Sequence, residues 1–189
     1  MTDTAIFAAG CFWGVEADFR RADGVSATRA GYTGGHTDHP TYRQVCGKRI
    51  GHAEAVEVTF DPAVVSYDEL LERFWAVHDP TTRNRQGFDL GSQYRSAIFF
   101  ASPAQEQAAT RSRDAQQAAL EEDGGRTVSA RGLTTGLRLV LGRRRRVVTE
   151  ITPATTFWPA EDHHQRYLEK RGQATCAVAL RDHAVGSSG

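Results

Sequence analysis

Cys11 stands between an apolar run, Ala5-Ile6-Phe7-Ala8-Ala9, and a helix-like spacing of Phe12, Val15, Glu16 and Phe19, within Gly10-Cys11-Phe12-Trp13-Gly14. A thiol at the junction of a buried strand and the first turn of a helix meets backbone N–H groups that lack partners. Those groups and the helix dipole favour thiolate over thiol, and the thiolate is the nucleophile. Phe12 and Trp13 follow directly and can wall an apolar pocket around the sulfur. The same residues also suit plain core packing, because cysteine is among the most buried residue types. Position alone leaves both readings open.

Periodicity and capping signals outline the elements that would position this stretch. Residues 5–9 read as a buried strand and 12–22 as a helix stopped near Gly24. The stretch with Gly31, Gly34, Gly35 and Pro40 reads as a long loop, and such loops in small domains often carry function. Val56, Val58 and Phe60 alternate with polar residues and end at Asp61-Pro62, which predicts a strand closing in a turn. Ser66-Tyr67-Asp68-Glu69 has the capping-box pattern and opens a helix with Leu70, Leu71, Phe74 and Trp75 on one side. Ala97 to Phe100 is a further buried strand, and Ser102-Pro103 starts a helix that runs to about Leu120. Val147 to Ile151 reads as a strand and Ala160 to Lys170 as a final helix. This alternation predicts an α/β fold with helices packed on a mixed sheet.

The 189 residues suit one domain, and 40% hydrophobic residues suffice for a conventional core. Lys and Arg match Asp and Glu at 23 each, which points away from nucleic acid and from anionic membranes. No apolar run is long enough to span a bilayer, and Met1-Thr2-Asp3-Thr4 lacks the basic start of a secretion signal. A cytoplasmic location is expected. Cys11, Cys46 and Cys176 are too few and too scattered for a disulfide framework, and no Cys-x-x-Cys spacing occurs. His36, His39, His52, His163 and His164 lack a ligating spacing such as His-x-x-x-His and read as loop and surface histidines, so no metal is expected. Met1 is the only methionine.

Gly10-Cys11-Phe12-Trp13-Gly14 resembles the active-site signature of the peptide methionine sulfoxide reductase A family. Further blocks are similar to that family in the same order: Pro40-Thr41-Tyr42 to Cys46, Gly51-His52-Ala53-Glu54-Ala55, His78-Asp79-Pro80-Thr81-Thr82 to Gly87, and Gly91-Ser92-Gln93-Tyr94-Arg95-Ser96. A late block runs from Val148-Thr149-Glu150-Ile151 through Ala160-Glu161-Asp162 to His164-Gln165. The resemblance implies a two-layer α/β sandwich with a ferredoxin-like split βαβ core, a mixed sheet and extensive loops.

It also implies the chemistry. A sulfoxide sulfur is electrophilic only when its oxygen is protonated or strongly hydrogen-bonded, so its reduction needs a soft nucleophile, an acid and a dry pocket. The family pattern assigns Cys11 as nucleophile, Phe12 and Trp13 as the pocket for the methyl group, and Glu54 as the acid. A carboxyl facing an aromatic pocket loses hydration, which raises its pKa and keeps its proton available. Tyr42 and Tyr94 match tyrosines that hydrogen-bond the sulfoxide oxygen, and Asp89 a carboxylate that reaches the site through water. Taken alone, Glu54 reads as a polar strand residue and the two tyrosines as half-buried packing residues.

Oxygen then leaves as a cysteine sulfenic acid, with which a second thiol condenses to a disulfide. The resemblance makes Cys176 that thiol, in a flexible tail over 172–189, and thioredoxin the reductant of a Cys11–Cys176 disulfide. Cys46 reads as a buried, inert thiol. Methionine S-sulfoxide, free or in proteins, is the implied substrate, with no cofactor, and a monomer is expected. Residues 121–146 read as an insertion in a single domain over 1–189, with Leu137 to Leu141 a possible extra strand paired with Thr127 to Arg131. Two positions depart from the family pattern: Ile50 stands where Thr usually precedes Gly-His-Ala-Glu, and His163 where Tyr usually precedes His-Gln. A redox sensor toggled by Cys11 and Cys176, without reductase turnover, is the alternative. A nucleic-acid-associated protein using Arg143 to Arg146 is a second.

Overall fold

The computed structural model describes residues 1–47, 49–126 and 145–173. The apolar run before Cys11 forms β1 (Asp3–Ala9), followed by α1 (Phe12–Phe19), β2 (Val25–Thr33), α2 (Tyr42–Cys46), β3 (Ala53–Phe60) and α3 (Tyr67–Ala76). The chain continues through β4 (Arg85–Gln86), β5 (Asp89–Leu90), β6 (Ser96–Phe100), α4 (Pro103–Arg126), β7 (Glu150–Pro153), β8 (Trp158–Pro159) and α5 (Tyr167–Lys170). Six strands form one sheet in the order β7-β6-β1-β3-β2-β8, while β4 and β5 pair as a separate hairpin.

β3 lies antiparallel between β1 and β2, so β1-α1-β2 is a split βαβ unit. With β6 antiparallel on the other side of β1, the order β6-β1-β3-β2 is the expected ferredoxin-like core. β7 pairs parallel with β6 and makes the sheet mixed.

Strand side chains alternate between the two faces. Phe7, Tyr32, Val56, Val58, Phe60 and Ile98 share one buried cluster with Phe12 and Phe19 of α1, Leu70 and Phe74 of α3, and Ala109 of α4. Ile6, Ala8, Ala53, Ala55, Ala97 and Phe99 form a smaller cluster on the opposite face, against Ala154 and Phe157. Phe7 sits in the larger cluster, stacked 5.0 Å from Phe19 and 5.4 Å from Phe74 between ring centroids. α3 starts as its sequence predicts: Glu69 N–H donates to Ser66 Oγ (3.2 Å) and Ser66 N–H to Glu69 Oε2 (2.7 Å).

Several expectations are corrected. Residues 25–33 form the long strand β2, and only the stretch after Thr33 is loop. Gly31 marks a close approach: a Cβ there would strike the Phe157 ring and the Trp158 carbonyl. α1 stops at Phe19, and tighter i→i−3 bonds from Arg21 N–H to Asp18 and from Ala22 N–H to Phe19 carry the chain onward. The final helix shrinks to Tyr167–Lys170, because Arg166 adopts φ 53° and gives its N–H to the buried Glu16 Oε2 at 2.7 Å. β7 starts at Glu150, not Val147, because the N–H groups of Val147 and Val148 bond Gln117 and Pro80. α4 runs on to Arg126, through the start of the expected insertion. The extra strand at 137–141, Arg143 and Arg144, and Cys176 lie outside the described residues. Among those described, no helix is long and apolar enough to cross a membrane.

The position of Phe7 yields a stability prediction. Phe7→Ala should cost about 3–5 kcal/mol, whereas Val64→Ala at an exposed site should stay within about 0.5 kcal/mol. Urea denaturation midpoints measure both, and similar small shifts would remove Phe7 from the centre of the core.

Candidate active site

Cys11 is the N-cap residue of α1, half-buried, at φ −58° and ψ 119°. The chain turns into this position at Gly10, whose φ is 100°, and a Cβ there would lie 2.8 Å from Gln86 Cγ. Both facts demand glycine. Phe12 opens the helix, so its N–H has no intrahelical acceptor. That N–H donates to Glu54 Oε2 at 3.1 Å.

Glu54 reaches α1 because it shares the parity of Val56 and Val58, on the helix-covered face of β3. It pairs across the sheet with Tyr32 and is 1% exposed. Burial pushes its pKa up to about 8; the Phe12 N–H opposes this and the charge of Asp89 adds to it. The carboxyl therefore holds its proton at neutral pH. Oε2 accepts from Phe12, which leaves Oε1 to carry the proton, and Oε1 is buried with no hydrogen-bond partner among the described residues.

Tyr42 and Tyr94 stand over this carboxyl from two short elements. Tyr42 opens α2, which is started by a Thr41–Gln44 capping box, and Tyr94 ends a 3-10 turn over Ser92–Tyr94. Burial holds both phenols above their ordinary range: the Cys46 bond and then Glu54 add to it at Tyr42, Glu54 and then Asp89 at Tyr94. Both stay protonated donors. Asp89 sits opposite Gln86 in the β4–β5 hairpin, and burial raises its pKa.

Aromatic rings close the space beside Cys11. The Phe12 ring lies 5.8 Å from Tyr32, 6.5 Å from Tyr42 and 5.4 Å from His164 between centroids. Trp13 stacks on Tyr167 at 3.7 Å and donates its indole N–H to His164 Nδ1 at 3.1 Å. An accepting Nδ1 places the ring proton of neutral His164 on Nε2, which is buried without a partner among the described residues. Burial and then His163 hold His164 below its ordinary pKa, which keeps it neutral.

The structure thus gathers Cys11, Phe12, Trp13, Tyr42, Glu54, Asp89 and Tyr94 at one end of the sheet; Cys176 lies outside the described residues. Cys46 departs from its expected burial. It is half-buried at the end of α2, and the Tyr42 hydroxyl bonds it.

Sequence reasoning missed Glu161 and gave His164 no role. Glu161 Oε1 accepts the Tyr42 N–H (2.9 Å) and Oε2 the Tyr32 hydroxyl (2.8 Å). Burial would raise its pKa, but these bonds outweigh it and Glu161 is held below the usual range. The only early signal was their place in the Ala160-Glu161-Asp162 and His164-Gln165 blocks. Of the other histidines read as loop and surface residues, His52 is instead buried, its Nδ1 accepting from Gly35 N–H and its Nε2 bonding the Thr37 carbonyl, while His39 lies on Trp158. His163 is exposed and packs on His164, and the Ile50 carbonyl accepts the His36 N–H.

A family model described as peptide methionine sulfoxide reductase matches residues 3–128 and 138–186. The chain belongs to that family. A peptide methionine sulfoxide reductase MsrA of Geobacter metallireducens is 55% identical over 175 residues, covering 92% of this chain and 94% of that one. Among solved structures, reduced Mxr1 of Saccharomyces cerevisiae is similar at a TM-score of 0.77 and 30% identity, over 95% of this chain and 91% of that one. Mxr1 in complex with Trx2 shares the fold at a TM-score of 0.55 and 21% identity, over 88% and 84% of the two chains.

In this reductase the raised pKa of Glu54 has a consequence for stability. Its folded pKa of about 8 exceeds its ordinary 4.5, so Glu54 weakens the fold as pH rises from about 4.5 and no further above about 8. The stability of Glu54→Gln relative to the parent should therefore climb across that window and then level off. Urea midpoints at pH 4.5, 6.5 and 8.5 test it, and a constant offset would mean that Glu54 ionises as it does in the unfolded chain.

Proposed function

We propose that this reductase acts on methionine S-sulfoxide, free and in proteins, with Cys11 as nucleophile and Glu54 as acid. The carrying observation is the buried Glu54 carboxyl, bonded to the N–H that follows Cys11 and with Oε1 unpartnered among the described residues, where burial pushes its pKa up to about 8. The Cys11 thiolate attacks the sulfoxide sulfur while Glu54 delivers its proton to the oxygen. Tyr42 and Tyr94 donate hydrogen bonds to the same oxygen, and Asp89 reaches it through water. Phe12 and Trp13 hold the methyl group in an apolar pocket, which strengthens each of these polar contacts.

Sulfur–oxygen cleavage then yields methionine and a Cys11 sulfenic acid. The Cys176 thiol condenses with that acid, releasing water and forming a Cys11–Cys176 disulfide. Thioredoxin, a dithiol, reduces it by exchange and is itself oxidised. The Mxr1 complex with Trx2 supports this choice of reductant. The protein repairs oxidised methionine as a cytoplasmic monomer in which 1–189 form one domain. The break in the family match between 128 and 138 supports a surface insertion within 121–146.

Cys11→Ser should keep its fold and lose all sulfoxide reduction, because a hydroxyl is far less ionised than a thiol. Glu54→Gln should slow the single-turnover step by about 10²–10⁴-fold, as loss of a general acid does. A rate within a few-fold of the parent would reduce Glu54 to a structural role.

The recycling step is separable from the chemistry. Cys176→Ser should still release one methionine per enzyme and leave a Cys11 sulfenic acid that dimedone traps, while turnover with thioredoxin slows greatly. Mass spectrometry of the parent after one turnover should find Cys11 joined to Cys176, and a Cys11–Cys46 linkage would transfer the role to Cys46.

A further inference from the structure

Glu161 lies on the segment between β8 and α5, half-buried, and takes no part in the reaction proposed above. Its backbone is tied to the sheet and to the wall of the site. Ala160 N–H donates to the Ala30 carbonyl at 2.9 Å, and the Glu161 carbonyl accepts His164 N–H at 2.8 Å. From this anchorage its two carboxyl oxygens reach different elements. Oε2 accepts the Tyr32 hydroxyl of β2 at 2.8 Å, and Oε1 the Tyr42 N–H of α2 at 2.9 Å.

The two tyrosines stand in different relations to the acid. Tyr32 is fully buried and pairs with Glu54 across β2 and β3, so the sheet fixes its place. Tyr42 sits on α2, a five-residue helix closed on itself by the Thr41–Gln44 capping box. Val45 buries this helix in the main cluster, but apolar burial is not directional. The N–H of Tyr42 opens the helix and lacks an intrahelical acceptor, a need that water would satisfy. A carboxylate 119 positions away meets it instead. Helix formation alone does not call for that partner.

We propose that Glu161 is a positioning residue that braces the start of α2 against Tyr32 and so holds the Tyr42 phenol in place relative to Glu54. The inference rests on the role proposed above for Tyr42 and adds a residue that does not touch the substrate. A hydrogen bond weakens steeply when misaligned, and the Tyr42 ring, 6.5 Å from Phe12 and 4.6 Å from His164, follows its backbone. A carboxylate suits the brace because both partners are donors and each of its oxygens meets one. The competing account is that its charge acts on the site through space. Reach and charge separate by substitution: Gln keeps the reach and loses the charge, while Asp keeps the charge and falls one methylene short.

The test follows single-turnover release of methionine from saturating free methionine S-sulfoxide. It uses Tyr94→Phe enzyme, in which Tyr42 is the remaining phenol donor to the sulfoxide oxygen. Adding Glu161→Asp should slow the step by on the order of tenfold, within the roughly 10²-fold that a misplacement of about 1 Å can cost. Adding Glu161→Gln should recover most of that loss, since its amide oxygen still accepts the Tyr42 N–H. Tyr32→Phe removes one oxygen from the far end of the brace and should slow the step in the same direction. Once Tyr42→Phe is also present, neither Glu161→Asp nor Tyr32→Phe should slow it further, because the group they position is gone. A Gln variant slower than the Asp one would overturn the brace in favour of charge. So would the absence of any Asp or Tyr32→Phe effect, or effects of equal size with and without the Tyr42 hydroxyl, the mark of a merely structural role. If adding Tyr42→Phe to Tyr94→Phe left the rate unchanged, the role of Tyr42 proposed above would itself be overturned.

Discussion

A single hydrogen bond, from the first N–H of α1 to a buried carboxyl on β3, sets the geometry around Cys11. Phe12 N–H must find an acceptor because no helix residue can supply one, and Glu54 Oε2 is that acceptor. The bond fixes where α1 starts against the sheet and which carboxyl oxygen faces outward. It also limits how far burial can raise the pKa of Glu54, since the N–H favours the charged form while desolvation opposes it. Removing the acceptor would leave an orphan donor inside the protein, so the helix start and the buried carboxyl depend on each other.

The wall opposite α1 comes from a segment with little regular structure of its own. Residues 160–166 are held by buried polar contacts to the sheet and to α1. Gln165 brackets the backbone of Ala30, accepting its N–H at 3.0 Å and donating to its carbonyl at 2.8 Å, which extends the pairing of β2 beyond β8. Glu16 in α1 receives the Arg166 N–H, and Glu161 receives Tyr32 and Tyr42. Between these anchors His164 is turned onto Phe12 and Trp13. A continuous helix over 160–170 would lack the left-handed step at Arg166 and the buried bond to Glu16 that accompanies it.

That contrast explains what the sequence disclosed. β1, α3 and β6 were legible because a short unbroken apolar run of strand length, or a capping box followed by a one-sided apolar face, has few other solutions. β2 was not, because its first half is exposed and Gly31 serves a close contact with residues over a hundred positions away. Cys11 could be suspected from its junction, but Glu54 alone read as a polar strand residue. Its parity with Val56 and Val58 placed it on the covered face, and only the family pattern gave that placement a chemical meaning. Glu161 and His164 act through long-range bonds to residues in α1, α2 and β2 that no local pattern encodes.

Four buried side-chain polar atoms lack partners among the described residues: Glu54 Oε1, Tyr67 hydroxyl, Gln93 Oε1 and His164 Nε2. Each such atom in a native fold opposes stability. Two of the four belong to residues packed around Phe12, beside Cys11. A core selected for stability alone would fill Glu54's position with a hydrophobic residue like Val56 and Val58, its neighbours on the same face. Keeping a protonated carboxyl with an idle oxygen makes sense if an acceptor arrives from outside, and a sulfoxide oxygen is such an acceptor. In the proposed reaction the instability that burial of Glu54 creates near neutral pH is the counterpart of its readiness to donate, and the large buried cluster on the same face of the sheet supplies the packing that tolerates it.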